Sequence, residues 1–281
     1  MTKERLWKLG LVGFPISHSR SPSIHEAALR ASGLRGDYEL FEREKDSLSE
    51  LVESLRSGSL HGLNVTIPHK ESVVEACDKL DSLAELVGAV NTLVPKDGAI
   101  WGYNTDVTGL ELALMAQWPE RPWRSRRCTV VGAGGAARAA CVALKNLGAA
   151  ELFITNRTHQ RAELLAQEMS QTLQLPCEAL PEAEAFQQSR LVIQATSLGV
   201  NDTRPQDVCD WAASLMARTA PGCVVMDLVY APVLPPFARG AIASGRDAIG
   251  GLGMLVYQAQ QAFRLWTGYE VAPSLLRTAA V

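Results

Sequence analysis

The chain has 281 residues, of which 47% are hydrophobic and 20% are charged, and its formal net charge is −3. This is ordinary globular composition, and the length suffices for two domains whose cores need neither disulfides nor metals. The slight acidity argues against a nucleic-acid partner, since nucleic-acid-binding domains are usually clearly basic. No apolar stretch approaches the roughly 20 residues of a membrane span, so we expect no membrane partner.

The cysteines and the first residues of the chain indicate the cellular compartment. None of the six cysteines shows a C-x-x-C or zinc-like spacing, which predicts reduced thiols and no metal site. The apolar part of the opening stretch MTKERLWKLGLVGFPISHSR is too short and too interrupted for a signal peptide. We therefore expect a soluble, cytoplasmic protein.

Short apolar runs alternate with amphipathic stretches in the first half of the chain, which predicts an α/β fold. The predicted strands are 8–13, 37–42, 62–67, 89–95 and 99–103, the last two joined by a hairpin turn at 96–98. The predicted helices are 22–31 with Ser21 as N-cap, 46–56 with Asp46 or Ser47 as N-cap, one that Pro68 opens, and 107–117.

The second half repeats the alternation after a change of character. Residues 118–127 are rich in Pro and Arg, which predicts a crossing between domains with a solvated surface. The strands predicted beyond it are 128–131, 151–155, 191–195 and 223–228, and the helices are 136–147, 159–173 and 251–267. The last helix has a broad apolar face, so we expect it to pack back on the first domain.

The strongest local motif is the glycine-rich turn CTVVGAGGAARAA. Gly132, Gly134 and Ala137 fit G-x-G-x-x-A between a predicted strand and a predicted helix. In that setting the first Gly permits a tight turn, the second lets the backbone approach a pyrophosphate, and the helix N-terminus favours the anion. The motif therefore predicts a dinucleotide site.

The end of the next strand indicates which dinucleotide binds. NAD sites usually carry Asp or Glu there, to bond the ribose 2′-hydroxyl. Here the strand ends in Asn156, Arg157 and Thr158, and Arg161 follows one turn later. Two guanidinium groups can bind a 2′-phosphate, which favours NADP. The alternative is that both arginines are ordinary surface residues at a helix start.

Polar residues also collect at the predicted strand ends of the first half. They are Ser19 and Ser21, Thr66 and Lys70, and Asn91 and Asp106. Hydroxyls, an amide, a lysine and a carboxylate with few aromatics suit a small polyhydroxylated ligand. We expect Lys70 in the first turn of a helix, where a cation is unfavourable and hence a functional candidate. The structural alternatives are helix caps at Ser21 and Asp106 and a plain surface lysine at Lys70.

Taken together and in order, these segments resemble the shikimate dehydrogenase family over nearly the whole chain. The matching stretches are HSRSPSIH, NVTIPHKE, VGAVNTL, GYNTDVTG, GAGGAARA, NRT with Arg161, ATSLG, DLVYAP and GLGMLVYQAQQAF. The resemblance implies an α/β substrate domain (1–106, with 253–281 returning to it), a Rossmann-like NADP domain (107–252), and a cleft between them. It implies reversible, NADPH-dependent reduction of 3-dehydroshikimate to shikimate, in aromatic amino-acid biosynthesis, by a monomer or homodimer.

The resemblance also implies roles for individual residues. Lys70 and Asp106 match the catalytic pair. The implied substrate contacts are Ser19, Ser21, Thr66, Lys70, Asn91, Asp106, Tyr230 and Gln258. The implied cofactor contacts are Gly132, Ala133, Gly134, Gly135, Ala136, Asn156, Arg157, Thr158, Arg161, Leu228 and Gly251. NADP(H) is the implied cofactor, with no metal.

Three positions depart from the family pattern, all in or near the cofactor domain. The family commonly has Asn at Gln194, often Thr at Pro235, and often Asp or Asn at Gly250. These departures bear on cofactor affinity and domain closure rather than on the chemistry. Three rival functions stay open: a dual quinate/shikimate dehydrogenase, a catalytically silent NADP-binding protein, and a reductase of an unrelated carbonyl.

Overall fold

The computed structural model describes residues 5–44, 48–200 and 204–281. Its strands are β1 Leu6–Gly13, β2 Arg35–Glu42, β3 Gly62–Val65, β4 Lys79–Leu80, β5 Thr92–Lys96, β6 Ala99–Tyr103, β7 Arg127–Val131, β8 Glu151–Thr155, β9 Cys177–Ala179, β10 Leu191–Gln194, β11 Val224–Asp227 and β12 Asp247–Ile249. Within these ranges no helix is long and apolar enough to cross a membrane.

The described residues also contain α-helices. They are α1 Ser21–Ala31, α2 Ser49–Arg56, α3 Ser82–Val87, α4 Thr105–Gln117, α5 Gly135–Asn146, α6 His159–Leu173, α7 Glu182–Ala185, α8 Pro205–Met216, α9 Pro236–Ala243, α10 Leu252–Thr267 and α11 Pro273–Ala279. A short 3₁₀ helix covers Ser72–Ala76. The chain divides into two compact units, Met1–Gly109 with Val256–Val281, and Leu110–Leu255.

The first unit contains a mixed six-stranded sheet in the order β2-β1-β3-β5-β6-β4. β1 lies parallel to β2 and β3, whereas β5 lies antiparallel to β3 and β6. The predicted hairpin turn between β5 and β6 is confirmed, and Asp97 and Gly98 both adopt positive φ there. That geometry matches the right-handed twist of the two strands.

The second unit contains a fully parallel sheet in the order β12-β11-β10-β7-β8-β9. The chain leaves β7 toward β8 on one side and later returns to β10 on the other. Such a reversal leaves a crevice at the carboxyl ends of the two central strands, where doubly wound sheets bind ligands. The Rossmann-like architecture expected from the glycine motif is therefore confirmed.

The region around Lys70 differs from the prediction. Pro68 opens no α-helix: residues 67–71 form turns ahead of the 3₁₀ helix, so Lys70 does not lie in a helical first turn. The Lys70 carbonyl accepts a hydrogen bond from the Val90 amide at 2.8 Å. Because that carbonyl bonds to a residue distant in the chain, an α-helical ladder does not begin there.

Two other helix starts also differ. Ser21 is the first helical residue of α1, and Arg20 occupies the N-cap position, where no side-chain capping bond forms. The predicted N-cap of Ser21 is therefore wrong. For α2, Asp46 and Ser47 lie outside the described residues, and the helix begins at Ser49.

The predicted crossing at 118–127 is wrong as well. These residues belong to the second unit, and the boundary between the units falls inside α4. Trp118 and Trp123 are buried and pack edge to face, with ring centroids 6.3 Å apart. The Trp118 indole N–H also donates to Asp247 Oδ2 at 2.5 Å. The two buried indoles pack this segment into the second unit. Its Pro and Arg content alone predicts an exposed segment.

The core of the first unit contains a buried titratable ring. His25, on α1, stacks on Tyr38 of β2, with centroids 4.5 Å apart and planes within 5°. Phe263 and Trp266 of α10 lie against the same imidazole. Burial lowers the pKa of His25 from 6.5 to about 3. The folded protein therefore holds this ring neutral throughout the physiological pH range.

This neutral histidine predicts a loss of stability in acid. Below pH 6.5 the unfolded chain binds a proton at His25 that the folded chain does not, so this residue should lower the free energy of unfolding by about 2 kcal/mol between pH 7.5 and pH 5. Urea unfolding at both pH values measures the effect. His25→Phe should lose less stability on acidification than the wild type, while the exposed His18→Phe should behave like the wild type. Equal pH dependence in all three proteins would contradict this account.

Candidate functional site

The predicted polar residues of the first unit follow strand ends that share one edge of its sheet. Because β1 and β3 are parallel, the loop with Ser19 and Ser21 and the turn with Thr66 and Lys70 begin at the same edge. The register pairs Asn64 of β3 with Thr92, at the start of β5. Asn91 and Asp106 therefore reach this edge too, and Lys70, Asn91 and Asp106 are in direct contact.

The centre of this cluster is a shielded ion pair. Lys70 Nζ lies 2.5 Å from Asp106 Oδ2, and Asn91 Nδ2 donates to Asp106 Oδ1 at 2.9 Å. Asp106 is only 4% exposed, and 15% of the Lys70 side chain is exposed. Each carboxylate oxygen thus has a donor, which is what a buried charge requires. The ammonium group is fixed in place at the sheet edge.

Asn104 determines where the Asp106 side chain lies. Asn104 Oδ1 accepts from the amides of Asp106 and Val107 at 3.2 and 3.3 Å, so Asn104 caps α4. Its Nδ2 donates to the Ala89 carbonyl at 2.8 Å. The cap interpretation of Asp106 is therefore wrong, because that carboxylate binds Lys70 instead. Sequence reasoning missed Asn104, although an Asn two residues before a helical Asp is a capping signal.

The serine loop after β1 is anchored by a residue that sequence reasoning also missed. Glu42 Oε1, at the end of β2, accepts from the Ile16 and Ser17 amides at 3.0 and 3.1 Å. Ser19 Oγ accepts from the Ser21 amide at 3.2 Å; Ser19 is half-buried and Ser21 is buried. The anchor fixes the loop that carries both hydroxyls. An acidic residue ending a neighbouring strand was the available signal.

Three further predicted substrate contacts are not part of the hydrogen bonds described above. Thr66 follows β3 and is half-buried beside Gly13, close to the start of the serine loop. Gln258 is half-buried on α10 in the first unit, and Tyr230 is half-buried after β11 in the second unit. Their roles in binding stay predictions.

In the second unit, the glycine turn connects β7 to α5. Gly132 has φ +124°, a conformation that side chains rarely adopt, and a Cβ there would lie 3.1 Å from the Ala195 carbonyl oxygen. Gly134 precedes the first turn of α5, and nothing lies within 4 Å of a Cβ placed on it. Ala137 is fully buried where α5 packs on the sheet. Ala133, Gly135 and Ala136 are half-buried. The turn thus leaves space for an anion beside the N-terminus of α5, as the motif predicts.

The arginines after β8 lie next to this turn. Arg161 Nη2 donates to the Ala133 carbonyl at 3.2 Å, which ties α6 to the glycine turn. Arg157 is exposed, and no hydrogen bond or ion pair to another described residue holds its guanidinium. Asn156 Nδ2 donates to the Thr158 carbonyl at 2.9 Å. The strand end therefore presents cationic and amide groups without a carboxylate, which fits an additional phosphate.

The departure at Gln194 has a structural explanation. Its Nε2 donates to Asp227 Oδ1 and to the Leu198 carbonyl, both at 3.1 Å, and its Oε1 accepts from the Thr196 amide and hydroxyl at 2.5 and 2.7 Å. The buried amide therefore holds the segment 195–198 against Gly132. Burial raises the pKa of Asp227 to about 7, and its Oδ2 has no hydrogen-bond partner among the described residues.

The departures at Gly250 and Pro235 lie next to each other in the structure. A Cβ at Gly250 would overlap the Val233 carbonyl oxygen and lie 2.7 Å from Pro235 Cδ. Any larger residue at 250 therefore requires the 233–235 segment to move. Gly251 packs as closely against Leu228, and its amide donates to the Val229 carbonyl at 2.9 Å. These close backbone contacts fix the predicted cofactor residues Leu228 and Gly251 at the carboxyl ends of β11 and β12.

The two units therefore offer different chemistry. The first presents an ammonium group on a buried carboxylate, with hydroxyls at the same sheet edge. The second presents an anion-binding turn with adjacent guanidinium groups. Among residues 5–44, 48–200 and 204–281, no cluster of three or more His, Cys, Asp or Glu could hold a metal ion.

Comparison with known proteins matches three family models along the chain. Residues 11–93 match the shikimate dehydrogenase substrate binding domain, 115–213 match shikimate / quinate 5-dehydrogenase, and 251–275 match the shikimate 5′-dehydrogenase C-terminal domain. A shikimate dehydrogenase (NADP(+)) of Methanopyrus kandleri is 39% identical over 280 residues, covering 97% of this chain and 94% of that protein. One from Oceanobacillus iheyensis is 40% identical, covering 94% and 93%.

A solved structure shows the same fold. The crystal structure of shikimate 5-dehydrogenase from Thermus thermophilus, in complex with NADP(H) and shikimate, has a TM-score of 0.83 to this chain. The two sequences are 35% identical, and the alignment covers 98% of each chain. The similarity thus extends over both units.

Proposed function

The chain belongs to the shikimate dehydrogenase family, and from this we propose that it catalyses the reversible, NADP-dependent reduction of 3-dehydroshikimate to shikimate. The reaction is a step of aromatic amino-acid biosynthesis. The observation that carries the proposal is the Lys70–Asp106 pair, 2.5 Å apart at a sheet edge with Ser19 and Ser21. An ammonium group held beside a carboxylate is suited to donate a proton to a carbonyl oxygen.

Lys70 supplies the proton in this proposal. NADPH, when bound, supplies the hydride that adds to the C3 carbonyl carbon. Negative charge then builds on the carbonyl oxygen, and Lys70 Nζ–H donates the proton that makes it a hydroxyl. In the reverse direction Lys70, as the neutral amine, takes the proton from that hydroxyl.

Asp106 orients this group and helps to bind the substrate. Its Oδ2 fixes Lys70 Nζ, and Asn91 fixes its Oδ1. A carboxylate has about four lone-pair positions, so Asp106 can also accept a hydrogen bond from a substrate hydroxyl. The further substrate contacts that we propose are Ser19, Ser21, Thr66, Asn91, Tyr230 and Gln258.

The second unit would hold NADP(H). We propose that the amides of Gly132 to Ala136 bind the pyrophosphate and that Asn156 to Thr158 with Arg161 surround the 2′-phosphate. Leu228 and Gly251 would line the rest of the site. The first unit is then the substrate-binding domain and the second the NADP-binding domain. A monomer or homodimer in the cytoplasm stays a prediction from the sequence.

The direct test is an assay of the wild type. Shikimate and quinate should each be supplied with NADP and with NAD, and the appearance of the reduced nicotinamide followed by its absorbance. Turnover should be fastest with shikimate and NADP. Faster turnover of quinate with NAD would instead support a quinate dehydrogenase, and no turnover of either would support a silent binding protein.

Arg157 should determine the choice of cofactor. A charge-assisted contact to the 2′-phosphate contributes about 1.5–3 kcal/mol, so Arg157→Ala should raise the KM for NADP about 10- to 100-fold. The KM for NAD should hardly change, because NAD lacks this phosphate. The exposed Arg218→Ala, on the same unit, serves as control and should change neither constant. Equal losses for NADP and NAD would contradict the assignment.

Lys70 should be essential for turnover but not for binding. Lys70→Ala removes the proton donor and should lower kcat by roughly 10²- to 10⁴-fold. Titration calorimetry should still detect binding of shikimate and of NADP. Because the variant leaves Asp106 without its cation, thermal melting should verify that the protein remains folded. The exposed Lys79→Ala, in the same unit, should keep wild-type kcat. A Lys70→Ala variant with most of its turnover would refute the role.

A further inference from the structure

A continuous series of side-chain hydrogen bonds connects the Asp106 cluster to the interior of the first unit. Tyr38 Oη, on β2, donates to Asn64 Oδ1 at 2.8 Å. Asn64 Nδ2 donates to Thr92 Oγ1 at 3.1 Å, and Thr92 Oγ1 donates to Asn91 Oδ1 at 3.0 Å. Asn91 Nδ2 then donates to Asp106 Oδ1. The series crosses from β2 through β3 and β5 to α4.

Every member of the series is buried. Tyr38 is 5% exposed, Asn64 4%, Asn91 2% and Thr92 not at all. A buried amide destabilises a core unless its hydrogen-bonding groups are satisfied, and an apolar residue would pack in its place without that requirement. Packing alone therefore does not account for Asn64 in β3 or for the hydroxyl of Tyr38.

The chemistry of the groups at both ends fixes the direction of each hydrogen bond. At one end the Asp106 carboxylate accepts from Asn91, and at the other end the Tyr38 phenol donates. A phenol has one hydrogen, and giving it to Asn64 sets which end of that amide is the acceptor. The Asn64 NH₂ group then faces Thr92, which accepts and so gives its own hydrogen to Asn91 Oδ1. The NH₂ group of Asn91 is left to face Asp106. His25 stacks on the Tyr38 ring and keeps the phenol in place.

We propose that Tyr38 is a positioning residue for the reaction. Through Asn64 and Thr92 it holds Asn91 against Asp106, and Asp106 in turn orients Lys70. Tyr38 touches neither substrate nor cofactor in this scheme. The inference rests on the proposed function and adds to it a residue that lies outside the substrate contacts.

The expected effect is moderate, because Asn91 has a second anchor. The Thr105 amide also donates to Asn91 Oδ1, at 2.8 Å. Without the Tyr38 hydroxyl, Asn91 keeps its orientation but loses part of its support. A small displacement of an acid/base group lowers the rate without abolishing it. We therefore expect a loss of about 3- to 10-fold in kcat, far less than for Lys70→Ala.

The test compares three near-isosteric variants with the wild type. Tyr38→Phe removes the hydroxyl that starts the series, and Thr92→Val removes the hydroxyl in its middle. Tyr103→Phe, in the same sheet, is the matched control, because its hydroxyl is not part of the series. Each protein is assayed for kcat, for the KM of shikimate and NADP, and for thermal melting. A single-turnover measurement of NADP reduction isolates the chemical step.

Tyr38→Phe and Thr92→Val should each lower kcat and the single-turnover rate by about 3- to 10-fold, with the KM for NADP within about twofold of wild type. Because both act through Asn91, the double variant should lose less than the product of the single losses. Tyr103→Phe should behave like the wild type.

Three outcomes overturn the inference. The first is a Tyr38→Phe enzyme with wild-type kcat and a lowered melting temperature, which would make the hydroxyl purely structural. The second is a double variant whose losses multiply, which would make the two hydroxyls independent. The third is a wild type without shikimate activity, which removes the proposed function as well. If Tyr38→Phe does not fold, Thr92→Val decides the first outcome.

Discussion

A buried charge needs hydrogen-bonding or oppositely charged groups in direct contact with it, and this requirement explains the arrangement around Asp106 in the first unit. Asp106 is almost wholly shielded from water, so leaving it unpaired would cost several kcal/mol. Lys70 and Asn91 satisfy its two oxygens, and Asn104 takes over the capping of α4 that an Asp at a helix start would otherwise provide. The same arrangement that satisfies the charge presents one ammonium group in a fixed direction, which is what proton transfer needs.

In the second unit the corresponding constraint is close backbone approach. Gly132 lies against the segment 195–196, where Gln194 accepts two hydrogen bonds from Thr196. Gly250 lies against 233–235. The three departures from the family pattern therefore belong to two local packing arrangements. Both arrangements lie next to residues that we propose as cofactor contacts, Gly132 in one and Gly251 in the other.

Sequence patterns were reliable where a local interaction determines the structure. β8 and α6 have the predicted bounds, and the hairpin turn at 97–98 and the glycine turn form where their residue types require. The sequence patterns failed where a contact with a residue distant in the chain determines the local structure. The helix expected at Pro68 is absent because Val90 takes the Lys70 carbonyl, and the apparent crossing at 118–127 is part of a unit because two tryptophans are buried.

The sequence by itself determined the α/β class, the parallel dinucleotide-binding sheet and the identity of Lys70, Asp106 and Arg157 as candidates, because turn geometry and residue chemistry are encoded in short stretches. The tertiary structure alone decided that Lys70 touches Asp106 and that Tyr38 and Asn64 connect to the same cluster. Those contacts join residues far apart in the chain, and their partners are fixed by sheet register, which no local pattern specifies.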